Sequence, residues 1–263
     1  MIRTFYFSPT GRTRTVVTTL AKALSNALQE AVVPYDFTCP EKRHTYPETA
    51  AGDVVIVGVP TYAGRVPNLL LSYMQGFRAE GTRAILVCTF GNRHFDDCLL
   101  ELYDLMRQAG AEIVCAGAFA AAHSFSCILG AGRPDRADRE DILAFSDRAA
   151  KALRNGDRLP RPEREIGGYF RPVDRKGAYI DFVKIKPETD AALCTDCKIC
   201  VGLCPLGAIH FDDVATVDKC MKCCACIKGC PEGAKYFSHA GYLYHKEELE
   251  AMYADRKDNR LFF

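Results

Sequence analysis

The stretch from Cys194 to Pro231 constrains this 263-residue chain more than any other. It reads CTDCKICVGLCP and then, 26 residues further on, CMKCCACIKGCP, so that each half obeys C-x2-C-x2-C-x3-C-P. The correspondence runs past the proline, Leu206-Gly207-Ala208 against Glu232-Gly233-Ala234, which marks an internal repeat. Nine of the 14 cysteines fall here, a crowding that predicts metal binding rather than general thiol chemistry. The others, Cys39, Cys88, Cys98, Cys115 and Cys127, are scattered, and Cys88 and Cys115 lie in apolar runs where a thiol behaves as a small hydrophobe.

A cubic iron–sulfur centre offers four iron corners, each wanting a thiolate. Cysteines at i, i+3 and i+6 in a tight turn can wrap three corners, and a fourth just before proline points away, toward a neighbouring centre. The pattern resembles that of bacterial two-[4Fe-4S] ferredoxins. The resemblance implies one cluster on Cys194, Cys197, Cys200 and Cys230, and a second on Cys220, Cys223, Cys226 and Cys204. Gly202, Ala208, Ala225, Gly229 and Ala234 are small enough to let backbone amides approach the sulfides. Cys224 stands outside the pattern as a non-ligand thiol, or at most a reserve ligand. A zinc ribbon would use two C-x2-C pairs across a longer gap. A disulfide framework would need an oxidising compartment.

The first 155 residues have a different grammar. Apolar strands are expected at Arg3–Ser8, Ala31–Phe37, Asp53–Val59, Arg83–Thr89 and Glu112–Phe119, with amphipathic helices between them and a last one over Asp135–Leu153. Such alternation predicts an α/β fold with a doubly wound, parallel, five-stranded sheet, in which ligands sit at the carboxyl ends of the strands. Three loops at that edge are unusual. Ser8-Pro9-Thr10-Gly11-Arg12-Thr13 is hydroxyl-rich, contains a glycine and opens a helix; it reads as a phosphate cradle or, more simply, as a capped helix start. Pro60-Thr61-Tyr62-Ala63-Gly64-Arg65-Val66-Pro67 and Thr89-Phe90-Gly91-Asn92-Arg93-His94-Phe95-Asp96 carry Tyr62, Phe90 and Phe95, aromatics suited to stacking on a planar ring or to local packing.

Ser8-x-Thr10-Gly11-x-Thr13 resembles the [ST]-x-T-G-x-T phosphate loop of the flavodoxin family. The resemblance implies FMN, with its phosphate on Ser8, Thr10, Gly11, Arg12 and Thr13. Pro60, Thr61, Tyr62 and Ala63 would lie on one side of the ring system, and Thr89, Phe90, Gly91, Asn92, Phe95 and Asp96 on the other. The whole chain is similar to flavodoxin–ferredoxin fusion proteins of anaerobic prokaryotes. That divides it into a flavodoxin-like FMN domain (1–155), a basic linker or strap (156–188), a small α+β two-[4Fe-4S] ferredoxin domain (189–237) and a helical tail (238–263).

From Arg154 to Lys186 there are nine Lys or Arg against five Asp or Glu, an excess expected to be solvated or to lie along a strap, with Ala178–Lys186 alternating like a strand. The tail is expected to form a helix over His245–Asp255 with Leu249, Met252 and Tyr253 inward. His94 and His123 fall near strand ends, where either is a candidate proton donor if not simply a packing residue. A net charge of +1 argues against nucleic-acid binding. Neither a secretory leader nor an apolar run of membrane-spanning length is visible, so a cytoplasmic, reducing setting without membrane contact is expected. Two kinds of electron-carrying cofactor predict a carrier serving a redox partner protein. The other reading is a self-contained flavin-dependent reductase of a small molecule; direct oxidation of a nicotinamide is unsupported, since no G-x-G-x-x-G follows a strand.

Overall fold

The computed structural model describes residues 1–174 and 176–263. Five parallel strands, β1 (Ile2–Tyr6), β2 (Val32–Asp36), β3 (Val54–Pro60), β4 (Arg83–Phe90) and β5 (Glu112–Ala120), lie in the order β2-β1-β3-β4-β5. That is the flavodoxin-like order of a doubly wound sheet. β3 and β4 are apolar on both faces because helices cover both. The alternation of side chains sorts the core into two layers. Phe5, Val55, Val57, Leu86 and Cys88 pack against α2 (Asn68–Met74) and α3 (Cys98–Gln108). Ile2, Tyr6, Val54, Ile56, Ile85 and Val87 pack against α1 (Arg12–Leu28) and α4 (Arg136–Asn155).

The sheet has a sixth strand that the sequence pattern does not announce. Residues Arg260–Phe262 pair antiparallel with β5. The tail is therefore helix plus edge strand, not helix alone. The polar residues that hold it come from the sheet domain. Asn92 Nδ2 donates to the carbonyls of Tyr253 (2.7 Å) and Asp255 (3.0 Å), and its Oδ1 accepts from Arg133 and from the Lys257 N–H. Arg133 donates to the Lys257 carbonyl at 2.7 Å and pairs with Asp138, both side chains being fully buried.

The strap runs back along α3 and the 60–67 loop. Its basic excess is answered by acids of the sheet domain: Arg158 meets Glu112, Arg161 meets Asp104 and Arg164 meets Asp97. Residues 178–186 do not form the expected strand; they hold a single bridge, Val173 to Tyr179, and a 3-10 turn at Phe182–Lys184. The small unit beyond is closed by β6 (Glu188–Thr189) paired with β7 (Lys235–Tyr236). It carries the short helices α5 (Ile199–Leu203) and α6 (Ala225–Lys228). Next comes α7 (Ala240–Met252), which starts earlier than expected. It buries Tyr242, His245 and Leu249 and leaves Met252 67% exposed. β8 (Arg260–Phe262) then returns to the sheet. Among the described residues, no helix is long and apolar enough to cross a membrane.

Candidate functional site

At the carboxyl edge of β1, β3, β4 and β5 the three loops close around a pocket of about 420 Å³. Ser8, Thr10, Arg12, Thr13, Pro60, Thr61, Tyr62, Thr89, Phe90 and Gly91 line it, together with Ala121, Ala122, His123 and Ser124 from the segment after β5. Gly11 takes a left-handed conformation (φ 79°) and starts α1. The chain can then reverse into a helix whose first N–H groups face the loop. The Arg14 N–H is taken by Ser8 Oγ (2.9 Å), and Thr13 Oγ1 meets Thr89 Oγ1 at 2.7 Å, tying the first loop to β4. No acidic residue stands in the first turn of α1 and none lines the pocket, while Arg12 does. A helix N-terminus, hydroxyls and one cation make this end of the pocket suited to an anion. Thr61 Oγ1, on a wall residue of the pocket, is buried beside the Cys88 thiol.

The lining also includes the apolar ring of Pro60 and the aromatics Tyr62 and Phe90. Gly91 is required there. A Cβ added to it would lie 3.0 Å from His123 Cα and 2.8 Å from its Cγ, closer still to the ring edge. His123 Nδ1 accepts from the Phe125 N–H (3.1 Å), so the neutral ring carries its proton on Nε2. Burial lowers the His123 pKa to about 4, helped by His245, Lys228 and Arg93, so the ring is neutral at pH 7.

Five of the residues singled out in the loops do not line this pocket. Gly11 shapes the turn. Ala63 accepts from the Phe170 N–H of the strap (2.8 Å). Asn92 is turned away to hold the tail. Phe95 packs on the α3-side core and stacks with His94 (4.7 Å between ring centroids), and Asp96 pairs with Arg93 and His94. Of the two candidate histidines, only His123 lines the pocket; His94 is exposed on the far side of its loop.

In the small unit the repeat is written into the backbone. Asp196 and Lys222 share φ 56°, Lys198 and Cys224 share φ 62°, and Gly207 and Gly233 have φ 60° and 64°. Left-handed residues alternating with right-handed ones turn successive N–H groups inward, a concavity that attracts anions and iron–sulfur centres. Cys224 thus occupies a turn position equivalent to Lys198, and its buried thiol meets the Tyr242 hydroxyl at 3.5 Å. Two pockets result. Cys194, Cys197, Cys200 and Cys230 line one of about 350 Å³; Cys204, Cys220, Cys223 and Cys226 line the other, of about 370 Å³, together with Cys224. The Lys222 N–H donates to Cys220 Sγ and the Ala208 N–H to Cys204 Sγ, each at 3.3 Å. Burial raises the thiols of Cys220 and Cys223, and that of Cys226 to about 12. A cationic centre is what converts such thiols to thiolates. Among the described residues no group of three or more His, Cys, Asp or Glu is arranged around a single metal ion.

The two halves of the molecule meet at the second of these pockets. Met221, in its wall, packs against the core on the α3 side of the sheet. Phe125, two residues beyond His123, shares an apolar cluster with Cys220, Cys224 and Tyr242. Lys228 Nζ donates to the Ser126 carbonyl at 2.7 Å. Burial raises the pKa of the Tyr62 hydroxyl well above its ordinary value, and the nearby Cys223 and Cys224 thiols add to the effect.

No family model matches the sequence, and no curated protein does. Solved structures do resemble it. The rubredoxin oxygen:oxidoreductase of Desulfovibrio gigas has 18% identity and a TM-score of 0.44 over 59% of this chain; the match spans 36% of that longer protein. Flavodoxin 1 of Bacillus cereus has 15% identity and a TM-score of 0.43, over 57% of this chain and 97% of its own. A flavodoxin of Streptococcus pneumoniae has 17% identity and a TM-score of 0.41, over 59% and 98%. The fold is read here from the strand order itself.

Pro9, Ala121 and Ala122 complete the first pocket and were not among the residues the sequence assigned to a ligand. The available signal for the last two was positional: a fifth parallel strand ends at the same edge as the other loops.

Proposed function

We propose that this chain is an electron-transfer flavoprotein. FMN would sit in the pocket at the sheet edge, and two [4Fe-4S] clusters in the two cysteine pockets. The observation that carries the reading is the exchange of the fourth cysteines. Cys194, Cys197 and Cys200 are joined in their pocket by Cys230, and Cys220, Cys223 and Cys226, with the additional Cys224, are joined in theirs by Cys204, as two adjacent cubic centres require. A single zinc ion would instead draw four sulfurs to about 2.3 Å from one point. The donor set fits FMN as well. The lining combines the hydroxyls of Ser8, Thr10 and Thr13 at the start of α1 with the aromatic rings of Tyr62 and Phe90.

Bound together, such groups supply one-electron steps at the clusters and interchange of one- and two-electron chemistry at the flavin. The residues of the chain bind, orient and insulate. Thr13 and Thr89 fix the phosphate loop to the sheet, and Gly91 lets the wall at His123 close. His123 lines the pocket as a neutral imidazole with its proton on Nε2. Cys204, Cys220, Cys223 and Cys226 form the inner site, toward Tyr62 and Phe125; Cys194, Cys197, Cys200 and Cys230 form the outer one, whose walls come wholly from residues 189–235. A redox partner protein in a reducing compartment would exchange electrons at the outer site, which makes the chain a carrier.

Two variants test whether the sites are separate. Thr10→Ala with Thr13→Ala should weaken FMN binding and leave iron content unchanged. Cys197→Ala should remove one cluster, about four irons, and leave FMN bound. Losses that always occur together would contradict the assignment.

A further inference from the structure

The repeat breaks at one buried position. Ala208 is followed by Ile209, 4% exposed, and the matching Ala234 is followed by Lys235, 3% exposed. An apolar residue fills the equivalent place in the first half, so packing alone does not call for a lysine. Lys235 Nζ donates to Thr189 Oγ1 (2.6 Å) and to the Val214 carbonyl. Both acceptors are neutral, and among the described residues no carboxylate lies within ion-pair distance of it. A buried ammonium without a counter-charge is costly, since neutral acceptors replace its water only in part. Lys235 also lines the pocket of Cys194, Cys197, Cys200 and Cys230. The thiols of Cys200 and, across the wall, of Cys226 lie within its field.

We propose that Lys235 is the built-in counter-charge of the outer cluster site and sets that cluster's reduction potential above what the repeat alone would give. This rests on the iron–sulfur reading above. A cubic cluster on four thiolates is an anion, and gaining one electron makes it more negative. A fixed cation at its wall therefore favours the reduced form, and cluster potentials respond to nearby charge and hydrogen bonding. Lys235 lines the outer pocket and not the inner one, so the two clusters, built on one repeated motif, become unequal. The lysine is a positioning residue: it touches neither substrate nor ligand sulfur by hydrogen bond.

The test uses the full chain prepared without air, with iron analysis and an electron-paramagnetic-resonance redox titration of the clusters. Lys235→Ile copies the residue of the first repeat. It should keep the iron content of the unaltered protein while one cluster titrates at a more negative potential and the other moves less. Lys235→Arg keeps the charge and should leave both potentials near their original values. An isoleucine variant with full iron and unmoved potentials would overturn the proposal. So would an arginine variant shifted as far as the isoleucine one, since that assigns the effect to shape rather than charge. If Lys235→Ile loses iron, the arginine variant decides: full iron with original potentials supports the counter-charge, and equal loss refutes it. Unaltered protein without iron would refute the iron–sulfur reading itself, a result distinct from all of these.

Discussion

Replacing Gly91 by alanine adds one methyl group at the place where the β4 loop meets the segment after β5. The new Cβ would sit 3.0 Å from His123 Cα and 2.8 Å from its Cγ. One of these is backbone, so no side-chain rotation removes the clash. Gly91 does not have a positive φ, so its backbone already suits alanine and no conformational strain is added. Overpacking of this kind costs about 1–3 kcal/mol. Restricting the unfolded chain returns about 0.4–1 kcal/mol. The net, about 1–2 kcal/mol, can be met by moving Ala121–Ser124 outward, and these residues wall the proposed flavin pocket. FMN affinity should then fall roughly 5- to 30-fold, since 1.4 kcal/mol is a factor of ten. Flavin-fluorescence titration of the flavin-depleted chain reads the affinity, and a thermal melt reads the stability. In a His123→Ala background the same substitution should cost less, because the ring is gone, giving a coupling energy between the two sites. An alanine variant with unchanged melting and unchanged FMN affinity would refute the close packing and the role given to that wall.

Two further outcomes follow from the titrating and paired groups. The His123 pKa is lowered to about 4 by burial and its cationic neighbours, against about 6.5 in the unfolded chain. Between those values the unfolded state binds more protons, so this contribution is complete above pH 6.5 and is lost as pH falls toward 4, up to about 3 kcal/mol. His245 is lowered in the same direction, so the comparison is by difference: denaturant melts of His123→Gln should fall off less steeply than the unaltered protein across that window, and parallel curves would contradict it. Arg133→Ala should destabilise by up to about 3 kcal/mol, because it removes the buried partner of Asp138 and leaves that carboxylate only the half-exposed Arg256 at 3.1 Å. It should also loosen the tail, because Arg133 holds the Lys257 carbonyl; faster hydrogen exchange at 253–262 checks this, and protection equal to the unaltered protein would show that the tail is held without Arg133.

The sheet was legible because burial on two faces leaves β3 and β4 as unbroken apolar runs, and because hydroxyl- and glycine-rich loops mark their ends. The cysteine repeat separates two sets of thiols, and these line two separate pockets, with Cys224 added to the second. What was not legible is long-range and short in sequence. β8 has three residues, too few for any alternation to register, and it exists only because the edge of β5 was open. Asn92 sits in a loop rich in pocket residues, yet its side chain is spent on backbone carbonyls 161 and 163 residues away. Phe95 illustrates the ambiguity of a loop aromatic: the pattern suited stacking on a ligand, and the fold used it as a core residue under His94. The strap's arginines are exposed as expected; what the sequence did not show is their pairing with Asp97, Asp104 and Glu112, which lie about fifty to seventy residues earlier and are brought near only by the fold.

The central claim, that a flavin and two cubic clusters share one electron path, is tested most directly by stepwise anaerobic reduction of the purified full chain, followed by its visible spectrum. The account predicts coloured protein with about eight irons and one FMN, taking up on the order of four electrons per chain as cluster and flavin bands bleach in one connected titration. Folded protein prepared without air that is colourless, or whose flavin and clusters reduce without ever equilibrating with each other, would contradict it.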